Sequence, residues 1–339
     1  GLAEGSPMKT VRMGRTGLKV TEICLGTMTF GVQCDEATSF AIMDRAFAEG
    51  VTFFDTADVY PVPPDFSTVG RTEEIVGRWL RERRRRDDVV LATKGHLPMG
   101  PRPNDRGSSR KHLTSALEAS LRRLQTDYVD LYQVHFWDAE TPLDETLKTL
   151  DDAVRAGKAR YLGCSNFRAW QLAKALWTSD RLGLARFDCL QPRYNLIYRD
   201  ADLDLLPLCR EEGVGVIAYN PLAGGFLSGK YRKGEPLPEG TRFTLGKAGD
   251  IYRERYARAA EFEVVERLRA FFESRGQQLA TAAVAWVLRQ PGITSAIVGA
   301  SRPDQLEATL AAPDFELDEE ALAVCDSAWF EIPRRVFTQ

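Results

Sequence analysis

Eight short apolar runs, each followed by a stretch of helical periodicity, constrain this chain more than any other feature. The runs are Ile23–Gly26, Val51–Asp55, Val89–Thr93, Val129–Val134, Ala159–Gly163, Phe187–Gln191, Val214–Tyr219 and Ser295–Gly299. Such near-continuous apolar runs suit strands of a parallel sheet covered on its outside. The intervening segments follow the helical period. Leu113, Ala116, Leu117, Ser120, Leu121 and Leu124, for example, share one face of a helix over 109–124. The same period predicts helices over residues 36–49, 72–84, 142–156, 167–177, 201–212, 280–289 and 303–311. Eight strand–helix units are the count of a closed (β/α)8 TIM barrel of the α/β class. An open, doubly wound sheet would produce the same alternation.

Some segments fall outside the repeat. Residues 8–23, with Gly14 and Gly17, read as an N-terminal β-hairpin able to plug the bottom of a barrel. Residues 252–275 and 318–330 read as extra helices in the C-terminal part, so that 8–339 forms a single barrel domain. Residues 1–7 have neither the basic nor the apolar region of a signal peptide and read as a tag remnant or disordered start. Two long irregular stretches, Tyr60–Val69 and Leu222–Ile251, directly follow the second and seventh strands. Loops of that length are usually functional, and these lie on the face where barrel active sites form.

Composition narrows the function. Lys and Arg number 45 against 48 Asp and Glu, for a net charge of −3, so no overall positive field exists to collect nucleic-acid phosphates. No apolar run approaches the roughly 20 residues that span a bilayer. None of the six cysteines has CxxC spacing and only three histidines occur, which argues against a metal site. Cys24, Cys164 and Cys189 read as small buried hydrophobes, and a reducing, cytoplasmic location is expected. The expected partner is a small molecule; the sequence leaves the oligomeric state open.

Two motifs mislead. Gly213-Val-Gly-Val-Ile-Ala218 matches a loose dinucleotide fingerprint, but its glycines precede a strand instead of following one, and Gly213 reads better as a helix C-cap. The run Arg81-Glu-Arg-Arg-Arg-Arg86 reads as a solvated helix end, where cations complement the helix dipole.

Four polar residues at strand ends carry the chemistry. Asp55 closes the second strand, Tyr60 follows it, Lys94 closes the third and His135 closes the fourth. Each alone has a structural explanation: a turn cap, a packing aromatic, a surface lysine, a core histidine. In a barrel, however, successive strand ends ring one mouth, so the four groups converge. Lys94 beside Tyr60 would favour the phenolate, Asp55 would hold Lys94 charged, and Tyr60 could then exchange a proton with a carbonyl oxygen as a hydride arrives. His135 could hydrogen-bond the same oxygen, and no metal is required.

The motifs around these residues resemble the aldo-keto reductase superfamily from about Lys9 to Trp329. They are Leu25-Gly-Thr-Met-Thr-Phe-Gly31, Phe54-Asp-Thr-Ala-Asp-Val-Tyr60, Arg71-Thr-Glu-Glu74, Leu124-Gln-Thr-Asp-Tyr-Val-Asp-Leu-Tyr-Gln-Val-His135, Gly157-Lys-Ala-Arg-Tyr-Leu-Gly-Cys-Ser-Asn166 and Asn220-Pro-Leu-Ala-Gly-Gly225. The last, with Ser228-Gly-Lys-Tyr231, is similar to the branch holding bacterial reductases and potassium-channel β subunits, and Tyr60-Pro-Val-Pro-Pro64 resembles Tas-like members. The resemblance implies a barrel that binds NADPH and reduces an aldehyde or ketone to an alcohol, with Asp55, Tyr60, Lys94 and His135 as catalytic tetrad and Tyr60 as general acid. It implies that Ser165, Asn166 and Gln191 hold the nicotinamide carboxamide and that Tyr219 stacks on its ring. Gly26, Thr27 and Met28 fall in the cofactor-facing first loop, and Asn220, Leu222 and Gly224 around the pyrophosphate. Lys230 and Arg242 fall near the phosphates, and Gly299, Ser301, Arg302 and Gln305 at the adenosine-phosphate end. Ala308 and Thr309 stand where the family often has Glu-Asn on the adenine, which loosens the expected preference for NADP over NAD.

The residues themselves also favour NADPH. Lys230, Arg232, Lys233 and Arg242 concentrate positive charge in one loop of an otherwise acidic chain, and Arg302 starts the last barrel helix. A 2′-phosphate needs such donors. Phe136 and Trp137, beside His135, would border a partly hydrophobic substrate. The alternative is a nicotinamide-binding regulatory module with little turnover, as in the channel β subunits, which carry Asn where this chain has His135. A lyase or isomerase on the same barrel is a further alternative, since fold does not fix function.

Overall fold

The eight runs close into a parallel barrel. The computed structural model describes residues 8–228 and 259–334. After a hairpin of β1 (Thr10–Arg12) and β2 (Lys19–Thr21) come β3 (Ile23–Gly26), β4 (Phe53–Asp55), β5 (Val90–Gly95), β6 (Val129–Val134), β7 (Ala159–Ser165), β8 (Phe187–Gln191), β9 (Gly215–Ala218) and β10 (Ser295–Val298). Each strand of β3–β10 pairs in parallel with the next, and β10 returns to β3 with Ile297 opposite Cys24. That return excludes the open sheet. Helices α1 (Glu36–Ala48), α2 (Arg71–Arg83), α3 (Arg110–Leu124), α4 (Leu143–Arg155), α5 (Ala169–Leu182) and α6 (Leu205–Glu212) cover the outside. Helices Leu279–Arg289 and Leu306–Leu310 flank β10, and Ala259–Ser274 and Glu319–Phe330 are the added ones.

Local chemistry sets the helix ends. Asp35 and Ser109 cap α1 and α3, accepting from the Thr38 and His112 backbone N–H groups at 2.7 and 3.1 Å. Gly213, in left-handed backbone with φ of 67°, ends α6, so the apparent fingerprint is a helix C-cap leading into β9. The basic run that ends α2 and continues beyond it departs from expectation at Arg86. Its guanidinium turns inward, bonding the Tyr128 carbonyl at 2.8 Å and Asp130 at 3.0 Å, because the chain folds back beside β6. The stretch over 201–212 begins as a 3-10 turn, Asp200–Asp202, before α6.

The barrel interior is layered from bottom to top by the two-residue period of its strands. Met13 and Val20 of the hairpin region plug the bottom against an apolar layer that includes Phe53, Ala92, Leu131 and Cys189. Gly14 is required at this plug. It has φ of +56°, and a Cβ there would lie 2.3 Å from the Gly213 carbonyl oxygen. Two residues further along the same four strands stand Asp55, Lys94, Gln133 and Gln191, all buried. The intervening residues Phe54, Tyr132 and Leu190 face the helices and join the outer core. The barrel's upper layer is therefore polar, directly above an apolar floor. Among the described residues no helix is long and apolar enough to cross a membrane.

Candidate active site

The polar layer is a closed hydrogen-bond network. Lys94, 1% exposed, donates from Nζ to Asp55 Oδ2 at 2.6 Å, to the Thr56 carbonyl at 3.1 Å and to the Tyr60 hydroxyl at 3.2 Å. Burial alone would lower the Lys94 pKa, but the Asp55 carboxylate and Tyr60 outweigh it and hold the ammonium above its ordinary range. Asp55 Oδ1 accepts from Gln133 Nε2 at 2.9 Å and from Gln191 Nε2 at 3.0 Å. Gln191 Nε2 also donates to Gln133 Oε1 at 2.8 Å. The buried carboxylate thus has one cation and two amide donors, the condition under which burying a charge is tolerable.

His135 enters from the end of β6, its backbone N–H bonded to the Gly95 carbonyl at 3.0 Å. Its ring stands edge-on to Tyr60, with centroids 6.1 Å apart at 84°, and stacks on Phe136 at 5.3 Å. Burial first, then the Lys94 and His96 charges, hold its pKa well below the ordinary histidine value, so the imidazole is neutral at pH 7. Its Nδ1 is buried with no hydrogen-bond partner among the described residues.

Above this layer opens a cavity of about 630 Å³, bordered by Asp55, Tyr60 and His135 but not by Lys94, which lies behind them. The structure brings most of the anticipated cofactor positions to its wall: Gly26, Thr27, Met28, Ser165, Asn166, Gln191, Tyr219, Asn220, Leu222, Gly224, Gly299, Ser301 and Gln305, together with Phe136. Side chains on that wall are held from behind. Ser165 Oγ donates to the Gln191 carbonyl at 2.7 Å, and Asn166 Nδ2 to the His135 carbonyl at 3.1 Å. The Tyr219 hydroxyl donates to Asn166 Oδ1 at 2.6 Å, and Gln305 Oε1 accepts the Ser301 N–H at 2.8 Å. Left-handed backbone at Asn220, Ala223, Gly224 and Gly225 bends the loop after β9 around the cavity.

Other anticipated positions fall elsewhere. Trp137 packs edge-on against Phe167 and Trp170, and Arg302 pairs at 3.2 Å with Asp304, which borders the cavity; neither Trp137 nor Arg302 borders it. Lys230, Arg232, Lys233 and Arg242 lie outside the described residues, as do residues 1–7. Gln133 is the residue that sequence reasoning missed. The available signal was its spacing: it stands two residues after inward-facing Leu131 and two before His135. Val62, Pro64 and Leu97 also border the cavity, from the loops after β4 and β5.

Known proteins resemble this chain over nearly its whole length. The profile of the Aldo/keto reductase family matches residues 22–329. An uncharacterized oxidoreductase of Bacillus subtilis, YrpG, is 41% identical over 321 residues, covering 93% of this chain and 94% of its own length. A probable voltage-gated potassium channel subunit beta of Arabidopsis thaliana is 37% identical, covering 91% of this chain and 92% of its own. The L-glyceraldehyde 3-phosphate reductase of Escherichia coli O157:H7 is 37% identical, covering 87% and 84%.

Proposed function

The chain belongs to the aldo/keto reductase family of oxidoreductases, and from that premise we propose that it reduces an aldehyde or ketone to an alcohol with NADPH, Tyr60 serving as the proton donor. The observation that carries this reading is the Lys94 ammonium, buried against Asp55 and 3.2 Å from the Tyr60 hydroxyl.

The cavity suits a nicotinamide dinucleotide on its own geometry. It is roomy, with the tetrad residues Asp55, Tyr60 and His135 on its wall together with Ser301 and Gln305, and Gln191, which also borders it, has a side-chain Oε1 that takes part in none of the network's bonds. Ser165, Asn166 and Gln191 would hold the carboxamide, and Tyr219 would pack on the ring. When bound, the reduced nicotinamide supplies a hydride to the carbonyl carbon. Tyr60 then releases its proton to the carbonyl oxygen, and the adjacent ammonium stabilises the phenolate left behind, which regains a proton from water. Asp55 keeps Lys94 charged and aimed. Neutral His135 can bond the substrate oxygen without competing as a proton source at pH 7.

For the cofactor's phosphates, Lys230, Arg242 and Arg302 remain the proposed donors; Arg302 would exchange Asp304 for a 2′-phosphate. Val62, Pro64, Leu97 and Phe136 give the wall an apolar share, which favours an uncharged, partly hydrophobic carbonyl compound. The identity with a channel subunit keeps a second reading open, a nicotinamide-binding module with little turnover in the cytoplasm. Steady-state NADPH oxidation with a panel of aldehydes and ketones separates the two. Tyr60→Phe is expected to abolish turnover while leaving NADPH binding nearly intact. Negligible turnover of every carbonyl by the unsubstituted protein would favour the module, and full activity of Tyr60→Phe would remove Tyr60 from the mechanism.

A further inference from the structure

We propose that Gln133 is a positioning residue that locks Gln191 with its carbonyl oxygen facing the cavity, so that the site selects a nicotinamide bearing an N–H donor. This rests on the reading of the cavity as a nicotinamide site. Two amides beside a carboxylate have few ways to satisfy their hydrogen bonds. An ionised carboxylate only accepts hydrogen bonds. Asp55 Oδ1 is within 2.9 Å of Gln133 and 3.0 Å of Gln191, so both glutamines must present their NH2 groups to it. That fixes Gln133 with its carbonyl oxygen toward Gln191, 2.8 Å away, where it takes the second Gln191 hydrogen. Both Gln191 donors are then committed inward, and its Oε1 is left for the cavity that the residue borders. Asp55 alone would hold one Gln191 hydrogen and leave the amide free to pivot about that bond. Gln133 supplies the second anchor and is itself inaccessible, at 0% exposure.

The consequence is a preference for a carboxamide over a ring substituent that only accepts. The 3-acetylpyridine analogue of NADP+ places a methyl group where the carboxamide has NH2, and its affinity isolates this bond. The unsubstituted protein is expected to bind NADP+ about tenfold more tightly than the analogue, as one well-made hydrogen bond allows. Titration by calorimetry should show Gln133→Met reducing that ratio below about threefold. Binding of 2′,5′-ADP, which lacks the nicotinamide, should be unchanged. Gln191→Met should abolish the discrimination, and the double variant should match Gln191→Met, because Gln133 acts through Gln191. Gln133→Leu, which likewise lacks both amide groups, should lower the ratio in the same way and serves if the Met variant does not fold. Retained discrimination in Gln133→Met, or equal weakening of all three ligands, would overturn the proposal. Failure of the unsubstituted protein to bind either dinucleotide would instead overturn the nicotinamide reading itself, and this inference with it.

Discussion

Two buried carboxylates three residues apart, Asp55 and Asp58, have opposite surroundings. Asp55 receives an ammonium and two amides. Neither Asp58 oxygen has a hydrogen-bond partner, and the nearby Thr56 Oγ1 and Tyr132 hydroxyl are likewise unpartnered among the described residues. Glu73, which takes Thr93, Ser120 and Arg123 at 2.7, 3.1 and 2.8 Å, adds a second carboxylate near Asp58. Burial and then Glu73 push the Asp58 carboxyl well above its ordinary range, with the Arg123 and Lys94 charges compensating only in part. Asp58 contributes mainly through its backbone, whose N–H bonds the Lys94 carbonyl at 3.1 Å. The contrast teaches that burial does not make a carboxylate useful to a site; donors aimed at it do.

The sharpest way to break this contrast is Lys94→Met, which leaves Asp55 buried and without its cation. It should destabilise the fold by about 3–5 kcal/mol in denaturant melts and abolish turnover. Tyr60→Phe keeps the Asp55–Lys94 pair, so turnover should be lost with little change in stability, read from the same assays. Asp58→Asn should have the opposite sign to Lys94→Met. A carboxyl with a raised native pKa stabilises the fold at low pH, and that stability is lost as pH rises above the unfolded value of about 3.9 through the native one. The variant should therefore gain about 1 kcal/mol at pH 8 and little at pH 4, read from thermal midpoints. Equal effects at both pH values would show that Asp58 is not the titrating group.

His135 supplies an opposing slope. The unfolded chain binds a proton that the native imidazole refuses, so stability should fall as pH drops below about 6.5 toward the lowered native value. His96 and His112, also lowered by burial, act in the same direction. His135→Gln should flatten this acid limb in part. The smallest effect is expected at Arg302, which is exposed and paired with Asp304. Arg302→Ala should leave stability unchanged and weaken NADPH more than NADH by about tenfold or less, measured by competitive binding. Equal weakening would place Arg302 away from the 2′-phosphate.

Much of this was legible in the sequence. Eight strand–helix alternations predicted the barrel, and Asp55, Lys94 and His135 were visible as polar residues at strand ends. Strand and helix limits moved by a few residues, as for β4, which runs Phe53–Asp55 where the apolar run began at Val51. Trp137 looked like a wall of the substrate site from its place after His135, yet Phe167 and Trp170 draw it away. Gln133 looked like one polar residue in a buried strand, and only its partners disclose what it does.

The sequence by itself determined the eight strand–helix units and the inward-facing identities, because hydrophobic period and side-chain alternation are local properties of a strand. Tertiary structure decided which inward groups meet. Asp55 and Gln191 are 136 residues apart and touch only because the sheet closes on itself. Closure also decides which buried carboxylate is satisfied, since hydrogen bonds depend on distances of tenths of an ångström across strands that no periodicity records.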